Sequence, residues 1–110
     1  EKQIDTVWKL VRETSEKLKI REIQREKILV DDRYVGKGYA IPTDGTIEAI
    51  TLLAQTEGIL LDPVYSGKGM AGLIDMVRNG DFKKEEKILF LHTGGSAALF
   101  AYEQELIEYS

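Results

Sequence analysis

Cysteine is absent from this chain, and proline and histidine nearly so, with two of the first and one of the second. Without cysteine there are no disulfides, no zinc–thiolate site and no thiol nucleophile, a composition that fits a reducing compartment. No H-x-x-x-H, carboxylate cluster at ligand spacing, Walker A sequence or G-x-S-x-G turn is present, so a metal site and a serine-hydrolase triad find no support. There is no signal-peptide pattern and no apolar run of about 18 residues, which makes a cytoplasmic location the default and leaves no membrane partner to expect. An excess of positive charge is also missing. Fifteen Lys and Arg against nineteen Asp and Glu leave a net charge of −4, no footprint for a phosphate backbone, and nucleic acid is not an expected partner.

What is present is an ordinary globular composition, 43% hydrophobic and 31% charged. A chain of 110 residues is long enough for one compact domain, burying about 65% of the surface its unfolded form exposes, and too short for two. It opens on Glu1 without an initiating methionine and moves straight into a helical pattern. That is the expectation for a piece of a longer protein.

Apolar positions Ile4, Val7, Trp8, Val11 and Leu18 fall at helical spacing and predict an amphipathic helix that packs. Ile28-Leu29-Val30 reads as a short strand. Residues 31–45 hold Tyr34, Tyr39, Pro42 and several turn-formers with no period, and a stretch of that length inside a compact domain is usually functional or disordered. From Thr43 or Asp44 to about Thr56, Ile47, Ile50, Leu53 and Ala54 predict a helix stopped at Gly58. A strand over Ile59 to Leu61 follows, then a helix marked by Met70, Leu73, Ile74 and Val77, with Ser66 as its N-cap and Gly80 as its stop. After a charged turn over 81–87, Ile88-Leu89-Phe90-Leu91 has the look of a buried strand, and a last helical pattern runs through Leu99 towards Leu106. Strands alternating with helices predict an α/β fold, a parallel sheet with helices on both faces.

The stretch from Glu57 to Tyr102 is where a ligand is expected. There the 59–61 segment delivers Tyr65 and Ser66 to a helix start whose backbone N–H groups are free, the place where open α/β sheets keep their ligands. Gly67-Lys68-Gly69-Met70-Ala71-Gly72 matches G-x-G-x-x-G, but the acidic residue a dinucleotide site needs about 20 positions on is missing, since the next apolar run closes at His92-Thr93. The three glycines then imply close approach, to a ligand or to neighbouring backbone. His92 is read either as a general base or as a histidine bonded to backbone.

At these residues the chain resembles a known family. Glu57-Gly58-Ile59, Asp62-Pro63-Val64-Tyr65, Gly67-Lys68, the run Ile74-Asp75-Met76-Val77-Arg78-Asn79-Gly80 and the Gly94-Gly95 turn are similar to the C-terminal part of the 1-aminocyclopropane-1-carboxylate deaminase and D-cysteine desulfhydrase family. Gly38-Tyr39, Pro42 and residues 44–50 extend the likeness to roughly positions 28–102. The resemblance implies a fold type II, tryptophan synthase β-like enzyme using pyridoxal 5'-phosphate, acting as a homodimer on a small amino acid. It also implies a protein about three times as long, whose cofactor lysine lies upstream. Neither Lys37 nor Lys68 takes that role, and the isolated chain is expected to be inactive.

Residue by residue, the resemblance sets Tyr65 and Tyr39 against substrate and cofactor as catalytic candidates. It makes Ser66, Glu57, Thr93 and Gly94 cofactor-binding candidates. A helix C-terminal acid is the alternative for Glu57, and a cap is the alternative for Thr93. The position of Ser66 is a glutamate facing the pyridine nitrogen in the deaminases and a hydroxyl residue in the desulfhydrases. A neutral hydroxyl does not by its charge keep that nitrogen protonated. The implied activity is therefore β-elimination of hydrosulfide from D-cysteine, giving pyruvate and ammonia. Cyclopropane deamination and a non-catalytic interaction module are the alternatives.

Overall fold

Four α-helices carry the chain in the computed structural model, which describes residues 2–109: α1 Lys2–Leu18, α2 Asp44–Glu57, α3 Ser66–Arg78 and α4 Glu103–Tyr109. Short 3-10 segments occupy Arg25–Lys27 and Ser96–Tyr102. The chain divides into two compact units, one ending at Asp32 and the other starting at Arg33.

In the first unit, α1 follows the predicted spacing, with Ile4, Val7, Trp8 and Val11 half-buried along one face. Arg25 reaches back to Asp5 through Nε at 2.8 Å and Nη2 at 2.6 Å. Arg12 lies over the Trp8 ring at 5.1 Å. The Arg25 contact closes the segment after α1 onto the helix, and the Arg12–Trp8 contact lies along α1 itself.

The second unit is built on α2 and α3. Thr43 caps α2 through a reciprocal pair: Thr46 N–H donates to Thr43 Oγ1 and Thr43 N–H donates to Thr46 Oγ1, each at 3.2 Å. This is a capping box with threonine in the place of the usual glutamate. At the other end Gly58 takes a left-handed φ of 66° and its N–H reaches the Ala54 carbonyl at 3.2 Å, the bonding of an αL stop. The core gathers Ala49, Ile50, Leu61 and Met70, with Leu53, Leu73, Ile74 and Phe90 packed around them.

The glycine-rich start of α3 serves this packing. A Cβ on Gly67 would stand 2.6 Å from the Asp62 carbonyl oxygen, 3.0 Å from Thr46 Cγ2 and 3.1 Å from Ile50 Cδ1. One on Gly72 would stand 2.9 Å from the Tyr34 ring. Close approach of neighbouring protein, with no ligand involved, accounts for both.

The expected parallel sheet is not there: no strand occurs among the described residues. Segments 28–30, 59–61 and 88–91 carry the apolar residues that predicted strands, but no backbone ladder joins them. An apolar run becomes a strand only when a neighbour supplies its hydrogen bonds, and these runs have none. Leu89 and Leu91 accordingly lie 92% and 78% exposed. Leu61 alone of the 59–61 segment is buried, anchored in the helical core.

Candidate active site

The turn that links segment 59–61 to α3 is organised by one side chain. Asp62 is 2% exposed, and its carboxylate accepts from the backbone N–H of Val64 (2.8 Å), Tyr65 (2.7 Å) and Ser66 (2.7 Å). Its own carbonyl accepts from Gly67 N–H at 2.7 Å. One residue therefore satisfies four successive amides at the helix entrance. The expectation of free N–H groups is corrected for residues 64–67, whose amides are all taken by Asp62.

Ser66 is tied to the same carboxylate. Its hydroxyl donates to Asp62 Oδ1 at 2.5 Å and accepts from Asp62 N–H at 2.8 Å. It is the first residue of α3, and the capping expected of it is done by Asp62, four positions upstream. Burial pushes the Asp62 carboxyl up, but the Ser66 hydroxyl and the N–H groups of Ser66, Tyr65 and Val64 outweigh it, so the group sits below the ordinary carboxylate value.

Because Asp62 holds the turn, Tyr65 projects outward. It is 62% exposed and meets Tyr39, 74% exposed, with the two hydroxyls 2.6 Å apart and the rings edge-on at 5.9 Å. The bond to Tyr39, some burial and the charge of Asp62 keep the Tyr65 phenol protonated above its ordinary value. A protonated phenol beside a second one can bind a carboxylate or pass a proton along the pair.

The 92–95 turn closes on this region. His92 Nε2 bonds the Leu60 carbonyl at 2.9 Å while Gly94 N–H donates to Nδ1 at 2.9 Å, the pattern of the Nε2–H tautomer. His92 is thus a backbone-bonded histidine, although an exposed one. Gly94 and Gly95 have φ of 95° and 90°; a Cβ on Gly94 would meet open space, whereas one on Gly95 would press on the Asp62 side chain at 3.1 Å. The structure so brings Tyr39, Tyr65, Ser66 and the glycine turn into one neighbourhood around Asp62. Glu57, the exposed last residue of α2, and Thr93, exposed before the turn, add no bond to it.

With this geometry in hand, the comparisons with known proteins are decisive for the family. A family model described as pyridoxal-phosphate dependent enzyme matches residues 2–94. The chain belongs to that family. It is 45% identical over 105 residues to a 1-aminocyclopropane-1-carboxylate deaminase of Burkholderia vietnamiensis, covering 94% of this chain and 31% of the relative. Against the enzyme of the same name from Pseudomonas syringae pv. syringae it is 55% identical over 82 residues, 74% of this chain and 24% of the relative. A crystal structure of an ACC deaminase homologue superposes with a TM-score of 0.74 at 33% identity, covering all of this chain and 32% of that one. The chain spans a third or less of the relatives it matches.

The resemblance read from Asp62-Pro63-Val64-Tyr65 and its neighbours is thereby borne out, and so is pyridoxal phosphate as the family's cofactor. Family membership supports fold type II, and the sheet stays corrected. Among the described residues no helix is long and apolar enough to cross a membrane, and no group of three or more His, Asp or Glu could hold a metal ion.

Sequence reasoning missed Asp62 as the organiser of the site. The available signal was its position at the head of an Asp-Pro turn, where aspartate side chains bond following backbone. Lys68, although inside the G-x-G-x-x-G match, and Tyr102 gave no sequence signal of the bonds they make to carbonyls of the loop that carries Tyr39.

Proposed function

We propose that this chain supplies the part of a pyridoxal-phosphate enzyme that faces the cofactor ring and a small amino-acid substrate, and that the whole protein deaminates 1-aminocyclopropane-1-carboxylate. The choice of substrate rests on the similarity to deaminases at 45% and 55% identity. The reading also carries a homodimer and a cytoplasmic location.

The bonding of Ser66 is the observation that carries the site. A hydroxyl has one proton and two lone pairs. Asp62 takes the proton and the Asp62 N–H takes one lone pair, which leaves a single acceptor position. The partner that suits an acceptor is a donor, and a protonated pyridine nitrogen is one. Asp62, held ionised directly behind the serine, restores the negative charge that a serine lacks when taken alone. A glutamate at this position is then no longer a requirement for opening a strained ring.

When bound, pyridoxal phosphate supplies an electron sink for bonds broken at the substrate's α-carbon. In this reading Ser66 meets the ring nitrogen, and Asp62 orients Ser66 and keeps its hydroxyl pointed. The Tyr39 and Tyr65 phenols contact the substrate and hold a proton at their shared hydroxyls. Gly94 leaves room for a flat ring to pass.

A second reading, a D-cysteine desulfhydrase, is favoured by Ser66 being a hydroxyl residue, since hydrosulfide is a good enough leaving group to need less of the sink. The test is to load the full-length protein with pyridoxal phosphate and follow ammonia from 1-aminocyclopropane-1-carboxylate and sulfide from D-cysteine, for the parent and for Ser66→Ala. Ammonia without sulfide, lost in Ser66→Ala, supports the deaminase. Sulfide alone selects the desulfhydrase. A Ser66→Ala protein with unchanged cofactor spectrum and activity overturns the role given to Ser66.

A further inference from the structure

Lys68 is a buried cation, 9% exposed, inside the first turn of α3, and its ammonium donates to two backbone carbonyls of one loop: Val35 at 2.6 Å and Gly38 at 2.9 Å. Placing a lysine side chain away from water is costly unless its donors are met, and here the strand-free loop 33–41 meets two of the three. The Gly38 carbonyl also accepts from Ile41 N–H at 3.4 Å, closing a turn with Tyr39 and Ala40 at its corners. Ala40 has a φ of 58°, in the left-handed region where a side chain is disfavoured. Its carbonyl accepts from Tyr102 Oη at 2.8 Å. The turn that carries Tyr39 is therefore clamped from two directions, at the Gly38 carbonyl before it by α3 and at the Ala40 carbonyl after it by the 3-10 segment before α4.

We propose that Lys68 and Tyr102 are positioning residues that fix the Tyr39 turn so that the Tyr39 hydroxyl meets that of Tyr65. The phenols themselves are exposed and, unlike a buried pair, have no surrounding core to hold them in register. What holds them is the backbone beneath Tyr39, gripped at Gly38 and Ala40. The strain at Ala40 is consistent with an imposed turn: a relaxed one would place glycine there. Lys68 acts through hydrogen bonds to carbonyls and not through a carboxylate, so its contribution is orientation. The inference rests on the functional reading above only in taking the phenol pair to face substrate.

The test is a pH titration of the full-length protein labelled with 13C at the tyrosine Cζ, with the Tyr65 signal assigned by Tyr65→Phe. Tyr65 faces Tyr39 and Asp62, and breaking its bond to Tyr39 shifts its titration down towards the ordinary value of about 10. Tyr39→Phe sets the full size of that shift. Lys68→Met, which keeps the stem and removes the donors, and Tyr102→Phe, which removes one hydroxyl from the other clamp, are expected to reproduce most of it. If folded Lys68→Met leaves the Tyr65 titration unchanged, the proposal is overturned. Should Lys68→Met not fold, Tyr102→Phe decides by the same criterion. A wild-type protein inactive on both substrates, yet showing the downward shift in the variants, would end the functional reading and leave the positioning intact.

Discussion

Two helices lie side by side in the second unit, and they begin in different ways. The start of α2 is local and neutral: Thr43 and Thr46, three residues apart, exchange two bonds of 3.2 Å. The start of α3 draws three N–H groups and a hydroxyl onto one buried carboxylate that lies outside the helix, and a fourth N–H onto the carbonyl of the same residue. The first does nothing but begin a helix. The second, by turning the chain tightly around Asp62, also buries Ser66 against an anion and throws Tyr65 outward. The difference teaches that a helix entrance becomes a site when the capping group is remote and charged.

The comparison breaks most completely at Asp62. Asp62→Ala leaves several buried donors without partners and is expected to cost about 3 kcal/mol or more, read from denaturant unfolding. Acid should reach the same result by protonation. A carboxyl whose folded value lies below its unfolded one contributes fully above about pH 4 and loses that contribution as pH falls through the folded value. The penalty of Asp62→Ala should thus shrink between pH 7 and pH 2, which unfolding at both values will show. An undiminished penalty at pH 2 would mean that the charge is unimportant.

Gly67→Ala sharpens the packing side of the contrast. The added methyl meets backbone at 2.6 Å, which cannot yield as a flexible side chain does, and a loss of about 1–3 kcal/mol in unfolding free energy is expected. Gly45→Ala on α2 is the control, because its nearest neighbour would be an ordinary 3.8 Å away.

The smallest effect belongs to the neutral entrance. Thr43→Ala should cost about 1 kcal/mol and, having no titrating group, the same amount at pH 7 and pH 3. A pH-dependent cost there would collapse the distinction between the two helix starts.

This contrast also marks what the sequence could reveal. The entrance of α2, read as Thr43 or Asp44, and its exit at Gly58 were readable because Thr43 and Gly58 act within a few residues of themselves; the answering role of Thr46 was not read. The entrance of α3 was misread onto Ser66, a good capping residue, because the rule that points to a serine before a helix carries no information about a carboxylate four positions back across Pro63. The sheet was inferred from Ile59 to Leu61 and Ile88 to Leu91, whose composition suits a strand; pairing is a property of neighbours, and no ladder forms among the described residues. Tyr39 and Tyr65 stand 26 positions apart, and only the family resemblance suggested that both belong to one site. The structure joins them at 2.6 Å.

The exposed 88–91 segment has a consequence for handling the protein. Leu89 and Leu91 stand in water on backbone that joins no strand ladder, the combination of exposed apolar side chains and unladdered chain that lets separate copies adhere. Immediately before them runs Lys83-Lys84-Glu85-Glu86-Lys87, a turn closed by the Lys83 N–H on Glu86 Oε2 at 2.6 Å. Its charges flank the sticky stretch as gatekeepers, resisting the approach of a second copy at the point where self-association would begin.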